Sequence, residues 1–254
     1  VLERITATRY ATPLKEGGSL PGIVEADDEG TYVVKFRGAG QGLKVLVAEV
    51  IVARIAERLE LRVPRLAVIE LPPSIARYEA DEEVQDLLNA SIGSNLAVDF
   101  LPGSFGYDGS RTPPEEEAAL VRWLDAFVAN VDRTWANPNL LMWHRRLWLI
   151  DHGAALYFHH SWPRRAPDAA KFAAQPFASA DHVLADVGPA AVSVHERAVA
   201  LLDFAALTAI VDSVPEEWLE VTDDLPDPAA VRAAYVDHLS ARLASPAAWL
   251  GGMP

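Results

Sequence analysis

The sequence predicts an α+β protein built as a small β-rich lobe followed by a larger helical one. Three observations carry that prediction. Short apolar runs parted by turn residues mark the first hundred positions, and stretches of helical periodicity dominate the rest. No repeat, low-complexity tract or long linker interrupts the 254 residues. The lobes are expected to be residues 1–101 and 102–254, parted at Pro102 and Gly103. Two lobes in this order imply a cleft, where ligands usually bind.

The elements follow in order. "GIVEADDEGTYVVKF" is two strands joined by the turn "ADDEG". "KVLVAEVIVARIAERLEL" places Leu46, Val50, Ala53, Ala56 or Ile55, and Leu59 at helical spacing. "RLAVIEL" and "SNLAVDFLPG" are further short strands, the second ended by Pro102 and Gly103. A helix is expected in "TPPEEEAALVRWLDAFVANV", with Thr112 as N-cap, Pro113 in the first turn and Glu115 completing a capping box. Leu120, Trp123, Leu124, Phe127 and Val131 give it an apolar face. "NLLMW" and "LWLID" flank "HRR" as a second hairpin, and at least two helices follow, around "VSVHERAVALLDF" and "PAAVRAAYVDHLSARLA".

Composition narrows the function. A half-hydrophobic chain of this length with mean hydropathy +0.08 buries a substantial core. No apolar run is long enough to cross a bilayer and the first residues lack a signal-peptide core, so no membrane partner and a cytoplasmic location are expected. The absence of cysteine excludes disulfides and thiolate metal sites and fits a reducing compartment. A net charge of −14, from 22 basic and 36 acidic residues, argues against general nucleic-acid binding or an anionic membrane surface. It leaves room for a local basic pocket.

The chemistry concentrates in "NVDRTWANPNLLMWHRRLWLIDHG". Asp132 and Asn137 are spaced D-x-x-x-x-N, and the hairpin carries Asp151 back beside them. A charge ending the apolar run "LWLI" needs a partner or a metal. Phosphoryl transfer from ATP requires a carboxylate near the attacking hydroxyl, and hard oxygen ligands to hold Mg²⁺ against the phosphates. Upstream, Lys35 in the strand "TYVVKF" needs an anionic partner, and Glu49 sits on the next helix beside the small residues Ala53 and Ala56. Each residue also has a plainer role. Asp132 and Asn137 suit an ordinary turn, Lys35 an edge strand, and Glu57 competes with Glu49 as the inward carboxylate. "GAGQG" suits a flexible turn. His152, His159, His160 and His182 lack the spacing of a zinc site; His159, Arg164 and Arg165 are expected on a cleft rim or the surface. Trp123, Trp135, Trp143 and Trp148 are expected to pack the core near the loop, with Trp135 anchoring it.

Four stretches together resemble the HipA-like branch of the protein-kinase-like superfamily: "EGGSLPGIVEA", "YVVKFRGAGQG", "NVDRTWANPNLL" and "LWLIDHGAALYFHH", within residues 16–160. The last two are also similar to loops of phosphatidylinositol kinases. The resemblance implies a two-lobed kinase-like fold that uses ATP with Mg²⁺ or Mn²⁺. By position, Asp132 takes the place of the catalytic-loop Asp, Asn137 of its metal-binding Asn, and Asp151 of the Mg²⁺-binding Asp. Lys35 takes that of the phosphate-binding Lys and Glu49 that of its helix partner. Gly17, Gly18 and Ser19 stand where a HipA-type phosphate loop lies, and Val98, Asp99, Phe100 and Leu101 form the connector expected to meet the nucleotide.

The chain departs from eukaryotic-type kinases in having no G-x-G-x-x-G before Lys35, no H-R-D and no A-P-E; Asn130, two residues before Asp132, is expected to orient it. The pattern begins near residue 16, so the N-terminal subdomain of full-length HipA is expected to be missing and a toxin role does not carry over. The expected function is ATP-dependent phosphorylation of a serine or threonine on a protein. A small-molecule or lipid kinase, or a non-catalytic nucleotide-binding scaffold, would use the same residues.

Overall fold

The structure is a computed structural model that describes residues 1–14, 21–40, 42–77 and 79–250. Two compact units are present, one of Val1–Leu46 with Pro64–Pro102, the other of Val47–Val63 with Gly103–Pro254. The strands and helices β1 (Glu3–Pro13), β2 (Gly22–Ala26), β3 (Thr31–Lys35), α1 (Leu43–Arg58), β4 (Leu66–Leu71), α2 (Glu82–Ala90) and β5 (Gly93–Asp99) come first. Most of α1 clusters with the second unit, whereas the sequence placed the whole helix in the first lobe.

In the first unit the strands close a barrel in the order β1-β2-β3-β5-β4. Neighbours are antiparallel except β1 and β4, whose parallel pairing from Glu3↔Ala67 to Thr6↔Glu70 shuts it. Period-two alternation fills the interior, with Val24, Ala26, Tyr32 and Val34 buried between half-exposed neighbours. The β2–β3 turn closes as the sequence predicts: Ala26 N–H donates to the Gly30 carbonyl at 3.1 Å and Gly30 N–H to Asp28 Oδ1 at 3.0 Å. Strand β1 was not legible because register shifts between Ala7 and Arg9 and between Tyr10 and Thr12 break its alternation. Helix α2 is short and buries only Val84 and Leu88 against the barrel core; Asp81 caps it by accepting from Glu83 and Val84.

The second unit continues with β6 (Phe105–Gly106), α3 (Glu115–Val128), β7 (Leu140–Trp143), β8 (Arg146–Leu149), α4 (Ala169–Ala173), α5 (His195–Leu201), α6 (Phe204–Asp212), α7 (Pro228–Leu243) and α8 (Pro246–Trp249). Helix α3 is its axis, buried on every side from Ala118 to Val128. The expected capping box does not form: the N-cap is Pro114, without a side-chain hydrogen bond, because two consecutive prolines hold the preceding backbone extended. Val131 lies past the helix end and is exposed, not part of the apolar face. The stretch predicted around "VSVHERAVALLDF" is two helices, since Asp203 accepts from Ala206 N–H and starts α6. Strands β6, β7 and β8 form a small antiparallel sheet. Its hairpin turn is only His144 and Arg145, both at positive φ (46° and 63°), the backbone that a two-residue turn demands.

Arginines brace this unit in place of disulfides. The buried Arg242 on α7 donates to the carbonyls of Ala126, Phe172 and Gln175, and lies over the rings of Phe172 and Trp249. Burial without a facing carboxylate lowers its pKa to about 10. Trp123, Trp162, Trp218 and Trp249 are buried as core, but Trp135 is 58% exposed and, among the described residues, stacks on Tyr107 alone, at 6.1 Å between centroids. Among the described residues, no helix is long and apolar enough to cross a membrane.

Candidate active site

The candidate site in the second unit begins where α3 stops. Ala129 caps the helix in the left-handed conformation (φ 55°) and its N–H returns to Asp125 and Ala126, turning the chain into the loop after Asn130. Leu156 (φ 54°), Asn139 (φ 49°) and Asp151 (φ 53°) share that conformation. Strained non-glycine residues thus cluster around the residues the sequence singled out, as they do at functional sites.

Within the loop, Asn137 Nδ2 donates to Asp132 Oδ2 at 2.8 Å, and Asn139 Nδ2 reaches the same oxygen at 3.4 Å and the Asp132 carbonyl at 3.3 Å. Asn130 Oδ1 accepts from Asp132 N–H at 3.3 Å. Asp132 is therefore held from both sides, and among the described residues no hydrogen bond reaches its Oδ1. With its amide nitrogen turned to Asp132, Asn137 presents its carbonyl oxygen elsewhere. The Asp151 segment lies alongside, since Ile150 N–H donates to the Asn139 carbonyl at 3.1 Å.

One guanidinium, absent from the sequence expectations, ties these pieces together. Buried Arg133 donates to the carbonyls of Asn139 and Ile150, and its Nη2 lies 3.4 Å from His152 Nδ1. Its Nε meets Asp125 Oδ2 at 2.6 Å, with both side chains fully buried. Asp125 also accepts from Asn130 Nδ2 and from His182 Nε2, each at 2.9 Å. Leu184 N–H donates to His182 Nδ1 at 3.0 Å, which leaves the imidazole proton on Nε2, facing Asp125. Burial alone would raise the Asp125 carboxyl, but the charge of Arg133 and the hydrogen bond from His182 outweigh it and hold the carboxyl at about 2. The available signal was a helix carrying Arg122 and Asp125 among apolar residues on every face.

Glu49 meets the same site. It is 2% exposed, and its Oε1 accepts from His152 N–H at 2.8 Å, fixing the segment just after Asp151. Glu57, its competitor, is exposed and pairs with Arg54 at 2.6 Å. His159 is not on a rim: it is fully buried, with Nδ1 2.9 Å from the Tyr235 hydroxyl, whereas Arg164 and Arg165 are exposed. His182 belongs to the Asp125 network.

In the first unit, Lys35 is half-buried at the end of β3. The glycine-rich loop after it is built, not merely flexible: Gly38 N–H donates to Ser91 Oγ at 3.2 Å, and a Cβ on Gly38 would lie 2.7 Å from that oxygen. Of the connector residues, Val98 and Asp99 are half-buried, Leu101 is buried and Phe100 is 38% exposed. The N–H groups of Asp99 and Phe100 are already bonded to the carbonyls of Arg65 and Thr31. Burial raises the Asp99 carboxyl, opposed by Arg65. Gly17, Gly18 and Ser19 lie outside the described residues.

The expected ligands Asn137 and Asp151 both offer hard oxygen atoms, which suit Mg²⁺. Among the described residues no three His, Cys, Asp or Glu side chains converge as a metal cage.

The fold is similar to the crystal structure of CtkA, a proinflammatory kinase of Helicobacter pylori, with a TM-score of 0.54 and 11% identity over 96% of this chain and 95% of that one. A Golgi casein kinase is also similar, with a TM-score of 0.41 and 11% identity over 96% of this chain and 72% of that one. The HipA-like kinase family model matches residues 8–251, and the chain belongs to that family. No curated protein matches it.

Proposed function

We propose that this HipA-like kinase is a two-lobed, Mg²⁺-dependent enzyme that transfers the γ-phosphoryl group of ATP to a serine or threonine hydroxyl of a protein. The observation that carries the reading is the pairing of Asp132 with Asn137 at 2.8 Å, on a loop that Arg133 joins to the Ile150 carbonyl and the His152 ring, on either side of Asp151. Asp132 receives the acceptor hydroxyl on Oδ1, while the amides of Asn137 and Asn139 fix Oδ2. The carbonyl oxygen of Asn137 and the carboxylate of Asp151 are the proposed metal ligands, and a bound divalent ion would neutralise charge on the phosphates. Lys35 is assigned to phosphate charge, Glu49 to holding that lysine, and Gly17, Gly18 and Ser19 to the phosphates. In the connector formed by Val98, Asp99, Phe100 and Leu101, two N–H groups are occupied, which directs the proposed donor contact with the base to Leu101. Positioning and electrostatics supply the acceleration, as is general for this chemistry.

The test is incubation of the protein with cell lysate and ATP labelled in turn at the α- and γ-phosphate. Label passing only from the γ position to protein serine or threonine is the expected result. Transfer of the α label would mean AMP transfer, label on lipid or small molecules would mean a different acceptor, and no transfer would leave a nucleotide-binding scaffold.

A further inference from the structure

Away from the catalytic loop, the second unit holds a cavity of about 430 Å³ between the start of α3 and the β7–β8 hairpin. That volume is in the range of ligand clefts, roughly 300–1,000 Å³. Its rim carries Arg111, Arg145 and Arg146, and its wall includes Pro113, Met142 and Leu147. Glu117 is the acidic residue of the lining, and its charge is matched by Arg62 at 2.7 Å. Glu116, next along α3, is engaged by Arg197.

On a molecule of net charge −14 such a rim is unusual. Arg9, Arg54, Arg62, Arg65, Arg133 and Arg197 are all spent in ion pairs with carboxylates. Among the described residues, Arg111 and Arg145 make no hydrogen bond or ion pair. Arg145 is held at the hairpin tip by a turn that needs positive φ (63°), so its side chain leaves a rigid element. Two uncommitted guanidinium groups on one cavity are suited to bidentate recognition of carboxylates or phosphates.

We propose that this cavity docks an acidic segment of a protein partner. The arginine rim supplies charge complementarity, and the Pro113, Met142 and Leu147 wall takes an apolar side chain next to the acid, a use that an inorganic anion would not have for it. The net charge of −14 disfavours acidic chains on average, and this rim is where two uncommitted arginines stand beside an apolar wall. That the partner is also the phosphoacceptor rests on the protein-kinase reading; the docking itself does not.

The probe is a fluorescein-labelled peptide of alternating aspartate and leucine, with an asparagine–leucine peptide as control, read by anisotropy on the whole protein without nucleotide. The acidic peptide should bind and the control should not. The double variant Arg111→Gln, Arg145→Asn should weaken binding by roughly tenfold or more, because asparagine tolerates the left-handed backbone and only charge is lost. The equal charge change in Arg164→Gln, Arg165→Gln should leave binding as it was. Absence of binding, an equal loss in both double variants, or a cavity that takes inorganic phosphate but not the peptide would each overturn the proposal. Because no transfer is measured, a dead enzyme that still docks the peptide separates this failure from failure of the kinase reading.

Discussion

Asp125 and Arg133 set the stability of the loop that carries Asp132. The pair is fully buried, so removing one partner strands the other's charge. Asp125→Asn should cost about 3–5 kcal/mol of unfolding free energy, measured by urea denaturation; a cost near zero would mean that the carbonyl partners of Arg133 suffice. The pH dependence follows from the same carboxyl. Its folded value of about 2 lies below the ordinary 3.8, so its stabilisation is complete above about pH 4 and is lost as pH falls towards 2. That contribution is roughly 2 kcal/mol. The wild type should therefore lose stability over this window more steeply than Asp125→Asn, and parallel curves would contradict the assignment. The two roles of Glu49 also separate in a single variant. Glu49→Gln keeps an acceptor for His152 N–H but removes the charge proposed for Lys35. Transfer should fall by about tenfold or more while the fold persists; unchanged turnover would reduce Glu49 to a backbone anchor. Asp151→Asn should weaken Mg²⁺-dependent nucleotide binding by more than about tenfold, and calorimetry showing equal affinity would withdraw Asp151 as a ligand.

At the scale of elements, local grammar was legible and tertiary compensation was not. The β2–β3 hairpin could be read because the turn residues of "ADDEG" part alternating apolar runs, and the β7–β8 hairpin because the polar "HRR" parts two short apolar runs. Strand β1 could not, because its bulges hide the period. The break between α5 and α6 was masked by an apolar run containing a single Asp, and only the structure shows Asp203 as a cap. Asp132, Asn137 and Asp151 stood out because polar residues closed apolar runs, while Asp125 and His182 lie 57 residues apart and meet only on folding. Ala129 is the element-scale test. A non-glycine residue in the left-handed cap of α3 is strained, so Ala129→Gly should raise the urea midpoint by an amount equivalent to about 1 kcal/mol. A lower midpoint would show that packing of the buried methyl group outweighs the strain.

At the scale of the whole molecule, the chain carries a net charge of −14 and belongs to the HipA-like kinase family. The central claim is that Asp132 acts on the acceptor hydroxyl and not on nucleotide binding. An interaction made mainly in the transition state changes turnover and leaves ground-state affinity nearly untouched. The most direct measurement compares wild type and Asp132→Ala, with Mg·ATP affinity from calorimetry and phosphoryl transfer from intact-mass spectrometry of the enzyme and its acceptor. The account predicts equal affinity and a loss of transfer of roughly two orders of magnitude or more. Transfer at the wild-type rate in Asp132→Ala would contradict it.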